Sequence, residues 1–277
     1  VAHGTARGWL RSATLALAAG VAVLAWPASA AAAPGVPDHV GVDVSHPQCG
    51  TDLPEDRAFT VVGVNGGLAN LPNPCLAEQL EYAQGSQGTA GQPVTQLYLN
   101  TANPGQVVDL VDTWPSDGTT PYGECDGQNS DACSWQYGWD RARASVTRYF
   151  LPAALEAGID LRPSQYVWWL DVETSNSWQD GSLEARARNL AALEGMTAYL
   201  DSWGAVVGLY STHQQWGRIV GTVPDDSPLA GRRSWLAGAV TAEQAALSCA
   251  LPPLVPRGPV ALAQYVPGDL DLNLPCS

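Results

Sequence analysis

Hydrophobic and polar positions along the chain switch repeatedly between two periods. Short apolar runs of strand character cover His39–Val44, Phe59–Val64, Val94–Asn100, Gln165–Glu173, Ala205–Tyr210, Ser234–Gly238 and Pro259–Tyr265. Between them, Pro74–Gln84, Trp135–Ala157, Leu183–Trp203, Gln214–Val220 and Thr241–Ser248 carry helical spacing. The clearest helix is Leu183–Trp203. Its Leu183, Ala187, Leu190, Leu193, Met196, Leu200 and Trp203 step by three or four and predict one apolar stripe, with Ser182 as N-cap and Gly204 as C-cap glycine. In Gln165–Glu173 the large apolar residues are consecutive instead of alternating, which predicts burial on both faces, as in a parallel sheet.

Strand and helix in alternation predict the α/β class with a parallel sheet. Seven or eight strands in about 240 residues fit a single-domain, TIM-like (β/α) barrel. An open, doubly wound sheet is the alternative. Against it, no Gly-x-Gly-x-x-Gly follows the first strand and no phosphate loop occurs anywhere. Residues 102–134 break the alternation with a long insertion rich in Asp, Gly, Pro and Ser, a length that points to a functional or stapled loop.

Residues 1–33 read as a secretory signal peptide: Arg7 and Arg11, an apolar stretch through Ala13–Trp26, then Pro27-Ala28-Ser29-Ala30 as a small-residue cleavage pattern near Ala30–Ala33. An uncleaved anchor is the alternative. Residues 34–38 read as a linker and 39–277 as the barrel. No other stretch reaches the length of a membrane span, so a soluble, extracellular protein is expected. The six cysteines, Cys49, Cys75, Cys125, Cys133, Cys249 and Cys276, are an even count, which in an exported chain reads as disulfides. Six cysteines admit fifteen pairings. The simplest is sequential: 49–75, 125–133 and 249–276. No Cys-x-x-Cys or paired Cys/His spacing occurs, so neither a metal nor another cofactor is expected.

Acidic residues number 27 and basic residues 13, every one of them arginine, for a net charge of −14. Loss of Arg7 and Arg11 with the leader takes it to −16. That balance argues against nucleic acid and against attraction to an anionic membrane, and it favours solubility. A monomer is expected.

Polar residues gather at the C-terminal ends of the predicted strands, which a closed barrel brings onto one face. Asp43, Asn65, Asn100, Tyr210, Gln264 and Tyr265 sit at such ends, and Asp271 and Asn273 follow the last. Asp171-Val172-Glu173 is the most informative piece. In a strand, residues i and i+2 share a face about 7 Å apart, so both carboxylates point into one pocket mouth. Crowding raises the proton affinity of one of them and makes an acid and a base from two acids, the minimum kit for glycoside hydrolysis. Asn65 and Asn100 are candidate substrate contacts. Nine tryptophans lie outside the leader, and Trp and Tyr pair a flat apolar face with a polar tip that suits sugar rings. Trp168, Trp169 and Trp203 read as core; Trp178 and Trp235, nearer strand ends or loops, read as cleft.

Gly41-Val42-Asp43-Val44-Ser45-His46 resembles the opening of the family 25 glycoside hydrolases, the Chalaropsis-type lysozymes. Leu170-Asp171-Val172-Glu173 resembles their central Asp-x-Glu. Leu209-Tyr210-Ser211, Trp235-Leu236-Ala237, Ala263-Gln264-Tyr265 and Asp271-Leu272-Asn273 resemble later landmarks in the same order. The resemblance implies a barrel that hydrolyses the β-1,4 bond after N-acetylmuramic acid in peptidoglycan, or a related glycan. It implies Glu173 as general acid and Asp171 as its partner, with Asp43 and Asp271 completing the acidic cleft. Tyr210, Trp235, Gln264 and Tyr265 would shape the sugar sites. The second strand departs from the family's Lys-Ala-x-Glu-Gly-like ending and reads Val62-Gly63-Val64-Asn65-Gly66-Gly67. A glycan- or wall-binding barrel without catalysis is the competing reading. A metal-dependent reaction on the same face is a third, disfavoured by the scarcity of histidine.

Overall fold

The computed structural model describes Pro37 and residues 39–276. The expected signal peptide lies outside the described residues, as does all of the linker except Pro37. Eight strands close into a barrel: β1 (Gly41–Val44), β2 (Thr60–Gly63), β3 (Thr95–Asn100), β4 (Val167–Asp171), β5 (Val206–Ser211), β6 (Arg233–Ala239), β7 (Val260–Tyr265) and β8 (Asp271–Pro275). Neighbours follow chain order around the ring, and β8 closes it against β1. The helices are α1 (Leu76–Gln84), α2 (Asp131–Ala144), α3 (Leu151–Glu156), α4 (Leu183–Ser202), α5 (His213–Ile219) and α6 (Ala242–Ser248). A π-helical turn, Ser145–Phe150, joins α2 to α3, so the expected helix 135–157 begins earlier and is interrupted. Its early start is set by Ser130, whose hydroxyl caps the Cys133 N–H.

One expectation about the sheet needs correction. It is not all parallel: β8, which the strand pattern did not pick out, runs antiparallel to both β1 and β7. The connection from β7 is only residues 266–270, too short for the crossover a parallel strand requires. The reversal has a consequence for the site. The other seven strands reach one rim of the barrel with their C-terminal ends, whereas β8 reaches it with its start. Asp271 therefore pairs directly opposite Asp43.

Strand alternation sorts the side chains into two layers. Val42, Val44, Val62, Leu97, Leu99, Trp168, Leu170, Leu209, Leu236 and Leu272 face outward into the main core beneath the helices. Phe59, Val61, Val167, Trp169, Tyr210, Trp235 and Leu262 fill the barrel interior. Trp168 and Trp169 thus occupy opposite layers, and both are fully buried, as the consecutive apolar pattern predicted. Glycines give the interior aromatics room. A Cβ on Gly208 would lie 2.3 Å from the Trp169 ring, and one on Gly41 would lie 2.3 Å from the Phe59 ring.

Helix α4 shows where a one-stripe reading falls short. It packs between the barrel and α2, so its middle is buried on more than one face, Asn189 and Glu194 included. Backbones meet closely there: a Cβ on Gly138 would sit 1.8 Å from the Ala192 carbonyl oxygen, and one on Gly195 would sit 2.0 Å from that of Trp135. The expected stripe fails at both ends. Leu183 is 76% exposed, and Trp203, expected in the core, is 41% exposed because it caps the helix beyond its last packed turn. The three disulfides are 49–75, 125–133 and 249–276. The second staples the insertion, whose Tyr122 hydroxyl donates to Glu194 of α4 at 2.5 Å.

Candidate active site

Four carboxyl groups meet at the barrel mouth. Asp43 is the penultimate residue of β1, Asp171 ends β4, Glu173 lies two residues further on, and Asp271 begins β8. They line one pocket of about 100 Å³ together with Tyr98, Tyr210, Trp235 and Gln264. Of the residues expected there, the four acids, Tyr210, Trp235 and Gln264 are brought together.

Amide donors hold Asp43 in place. The Gln264 side-chain N–H reaches its two carboxylate oxygens at 3.3 and 3.0 Å, and the Asn273 amide donates to Oδ2 at 2.7 Å. The Tyr210 hydroxyl donates to Gln264 Oε1 at 2.7 Å, which fixes which way that amide faces. These bonds favour the ionised acid, yet burial and the nearby Asp271 charge outweigh them and push Asp43 up to about 7.

Asp171 is more strongly perturbed. Burial, then the charges of Glu173 and Asp43, hold it well above the ordinary carboxylate range. Its Oδ1 is buried without a hydrogen-bond partner. Its main-chain carbonyl accepts from the Thr101 hydroxyl and, at 3.4 Å, from the Asn176 amide. Glu173 is partly exposed at the mouth. Burial raises it too, and Asp271 adds to this, whereas Gln215 and Ser175 beside its carboxylate favour the ionised form. Asp271 is raised by burial. Burial and mutual repulsion thus raise the proton affinity of all four acids above that of a solvated cluster.

Tyr265 and Trp178 lie outside the acidic pocket, and Asn65 lines the second cavity while its side chain is bonded into the fold. Tyr265 does not reach the pocket: it alternates with Gln264, so when Gln264 points inward Tyr265 packs in the outer core, 4% exposed. Asn65 is buried and committed to the fold. Its amide donates to Ser145 Oγ at 2.9 Å, and its oxygen accepts the Asn100 N–H at 2.7 Å. Trp178 lies apart from the four acids. Its indole donates to the Glu173 carbonyl at 3.0 Å and braces the loop that carries this acid. Asn100 lines a second cavity, which meets the acidic pocket at Tyr98.

Tyr98 escapes the sequence reading, and Asn273 stands near the rim there without a role. Tyr98 lies on β3 two positions before Asn100 and so on the same face; burial pushes its phenol far up. It lies across the mouth because β2 carries Gly63 there: a Cβ at that position would sit 2.5 Å from Tyr98 Cζ. Asn273 faces Asp43 two positions after Asp271. In both cases the signal was period-two spacing from a residue already singled out.

No protein-family model matches the chain, and neither does any curated protein. Solved structures do match. A muramidase from Trichobolus zukalii superposes with a TM-score of 0.53 at 12% identity, covering 86% of this chain and 93% of that one. A muramidase from Acremonium alcalophilum gives 0.51 at 14% identity over the same shares, 86% and 93%. The chain has a muramidase-like fold. A bacterial lysozyme from Streptomyces coelicolor is also matched, with a TM-score of 0.49 at 16% identity, covering 88% of this chain and 93% of that one. The muramidase-like barrel expected from the ordered motifs is thus the one observed, with its last strand reversed and its acids on one rim. Among the described residues, no helix is long and apolar enough to cross a membrane, and no cluster of three or more His, Cys, Asp or Glu is arranged to hold a metal.

Proposed function

We propose that this chain is an exported glycoside hydrolase that cuts a β-1,4 bond in peptidoglycan or a related glycan. The observation that carries the reading is the convergence of Asp43, Asp171, Glu173 and Asp271 in one small pocket at the strand ends of a muramidase-like barrel. Reach separates the roles. Glu173 stands at the mouth, where a glycosidic oxygen can approach it, and burial with the nearby Asp271 charge raises its proton affinity, which favours the protonated form a general acid needs. Asp171 lies deeper with Oδ1 free, placed to accept a hydrogen bond from the sugar beside the reacting carbon. Asp43, held by Gln264 and Asn273, lies beside Asp171 and, when ionised, raises the proton affinity of that residue. Export is supported by the leader pattern and by three disulfides, which persist in oxidising compartments.

The test is release of new reducing ends from purified peptidoglycan by the mature protein and by Glu173→Gln. Loss of general acid catalysis lowers the rate on the order of 10²–10⁴-fold. Release by the wild type that survives at full rate in Glu173→Gln removes the acid from that residue. No release by the folded, disulfide-intact wild type removes peptidoglycan as substrate.

A further inference from the structure

The acidic pocket, at about 100 Å³, has room for roughly three waters and not for a sugar ring. A ring next to the scissile bond must therefore rest in the space that adjoins it. That space is the second cavity, about 370 Å³, which shares the Tyr98 wall. Its polar lining comes from His46, Asn65, Asn100, Ser175, Asn176 and Ser177, with Leu68 as an apolar contact. No arginine, aspartate or glutamate lines it.

We infer that this cavity is a subsite for an uncharged sugar, so that the glycan this chain accepts bears no carboxylate beside the cut bond. The inference rests on the hydrolase reading above and narrows its substrate. Hydroxyls and amides can satisfy the hydroxyl and acetamido groups of a neutral sugar without any change of charge. Asn100 commits an N–H to the Gly67 carbonyl at 2.8 Å and retains its oxygen as an acceptor. A carboxylate in the same space would face the four acids across Tyr98 with no arginine on either cavity wall. Like charges in a partly desolvated cleft repel more strongly than in bulk water, and salt screens the exposed part of that repulsion. The cavity walls therefore discriminate by charge, and only weakly among neutral sugars of similar shape.

A matched pair of oligosaccharides isolates the charge. Both alternate N-acetylglucosamine with N-acetylmuramic acid; in one the lactyl groups are free carboxylates, in the other they are amides. Cleavage and binding (by tryptophan fluorescence) are measured for both at low and at high salt. The amide form is expected to be preferred on the order of tenfold at low salt, with the preference shrinking as salt rises. Ser177→Arg, at an exposed position on the cavity wall, is expected to erase most of that preference. Equal handling of the two forms at low salt, or a preference for the carboxylate, overturns the inference. If neither is cut but the amide form binds more tightly with the same salt response, the subsite stands and the hydrolase reading falls. If neither is cut or bound, both fall.

Discussion

Asp43→Asn removes a buried acid whose cost can be worked out. Burial and Asp271 push Asp43 from its ordinary 3.8 up to about 7. The folded state therefore holds this proton more tightly than the unfolded chain does. Its contribution to stability is complete below about pH 4, is lost as pH rises toward 7, and is gone above that. Roughly three pH units at about 1.4 kcal/mol each give about 4 kcal/mol. Asparagine has no proton to lose. It must instead turn its N–H₂ toward the donors of Gln264 or Asn273. Gln264 cannot flip without losing the Tyr210 hydroxyl, but Asn273 Oδ1 has no partner and can turn to accept. That mismatch costs about 1 kcal/mol and does not vary with pH. Asp43→Asn should then be slightly less stable than wild type at pH 4 and about 3 kcal/mol more stable at pH 8. In a domain of this size that is roughly 6–12 °C in Tm. Urea unfolding of both proteins across this range, with disulfides intact, measures the difference directly. A difference that stays within about 1 kcal/mol from pH 4 to pH 8 would refute the claim that burial strains this carboxyl.

Other predictions concern the packing and the proton donor. Gly63→Ala puts a methyl 2.5 Å from Tyr98 Cζ and 2.7 Å from Ser45 Cβ, so it should cost about 1–3 kcal/mol and lower kcat/KM by displacing Tyr98; unchanged Tm and kinetics would show that Tyr98 has slack. Gly138→Ala collides with the Ala192 carbonyl and should destabilise by about 3 kcal/mol or more in thermal melts, since backbone must move on both helices. The paired change Cys249→Ser with Cys276→Ser opens a loop of sequence separation 27 that anchors β8, and should lose about 3–4 kcal/mol in denaturant unfolding. The alkaline limb of kcat/KM should lie above the ordinary Glu value of 4.5, because burial and Asp271 raise Glu173. Gln215→Leu, which removes a group favouring the ionised form, should move that limb higher; a limb that moves down would place the donor elsewhere.

Where side-chain order alone sets the structure, the sequence sufficed. The apolar runs of β1 to β7 are local properties of the chain, as are the Ser182 cap of α4 and the Asp-x-Glu at the end of β4. The sequential disulfides bridge cysteines close in sequence or at neighbouring element ends, which made the simplest pairing the correct one. Other features depend on what each residue meets. Asp271-Leu272-Asn273-Leu274 is too short and too polar to announce a strand, and it becomes one because the barrel needs an eighth partner between β1 and β7. Gln264 and Tyr265 are neighbours of equal promise in the sequence, yet only one can face the pocket, and ladder register decides which. Trp203 satisfies the helical period of α4 but lies past the last turn that α2 and the barrel cover.

The sequence by itself determined the alternating α/β plan, the even set of six cysteines, the acidic charge without lysine and which four acids stand near strand ends. Tertiary structure decided what those acids became. Closure of the ring by a reversed strand set Asp271 opposite Asp43, and burial among Tyr98, Tyr210 and Trp235 raised their proton affinities. Repulsion and desolvation depend on distance through space and on the loss of water, and a linear order of residues specifies neither until the barrel closes.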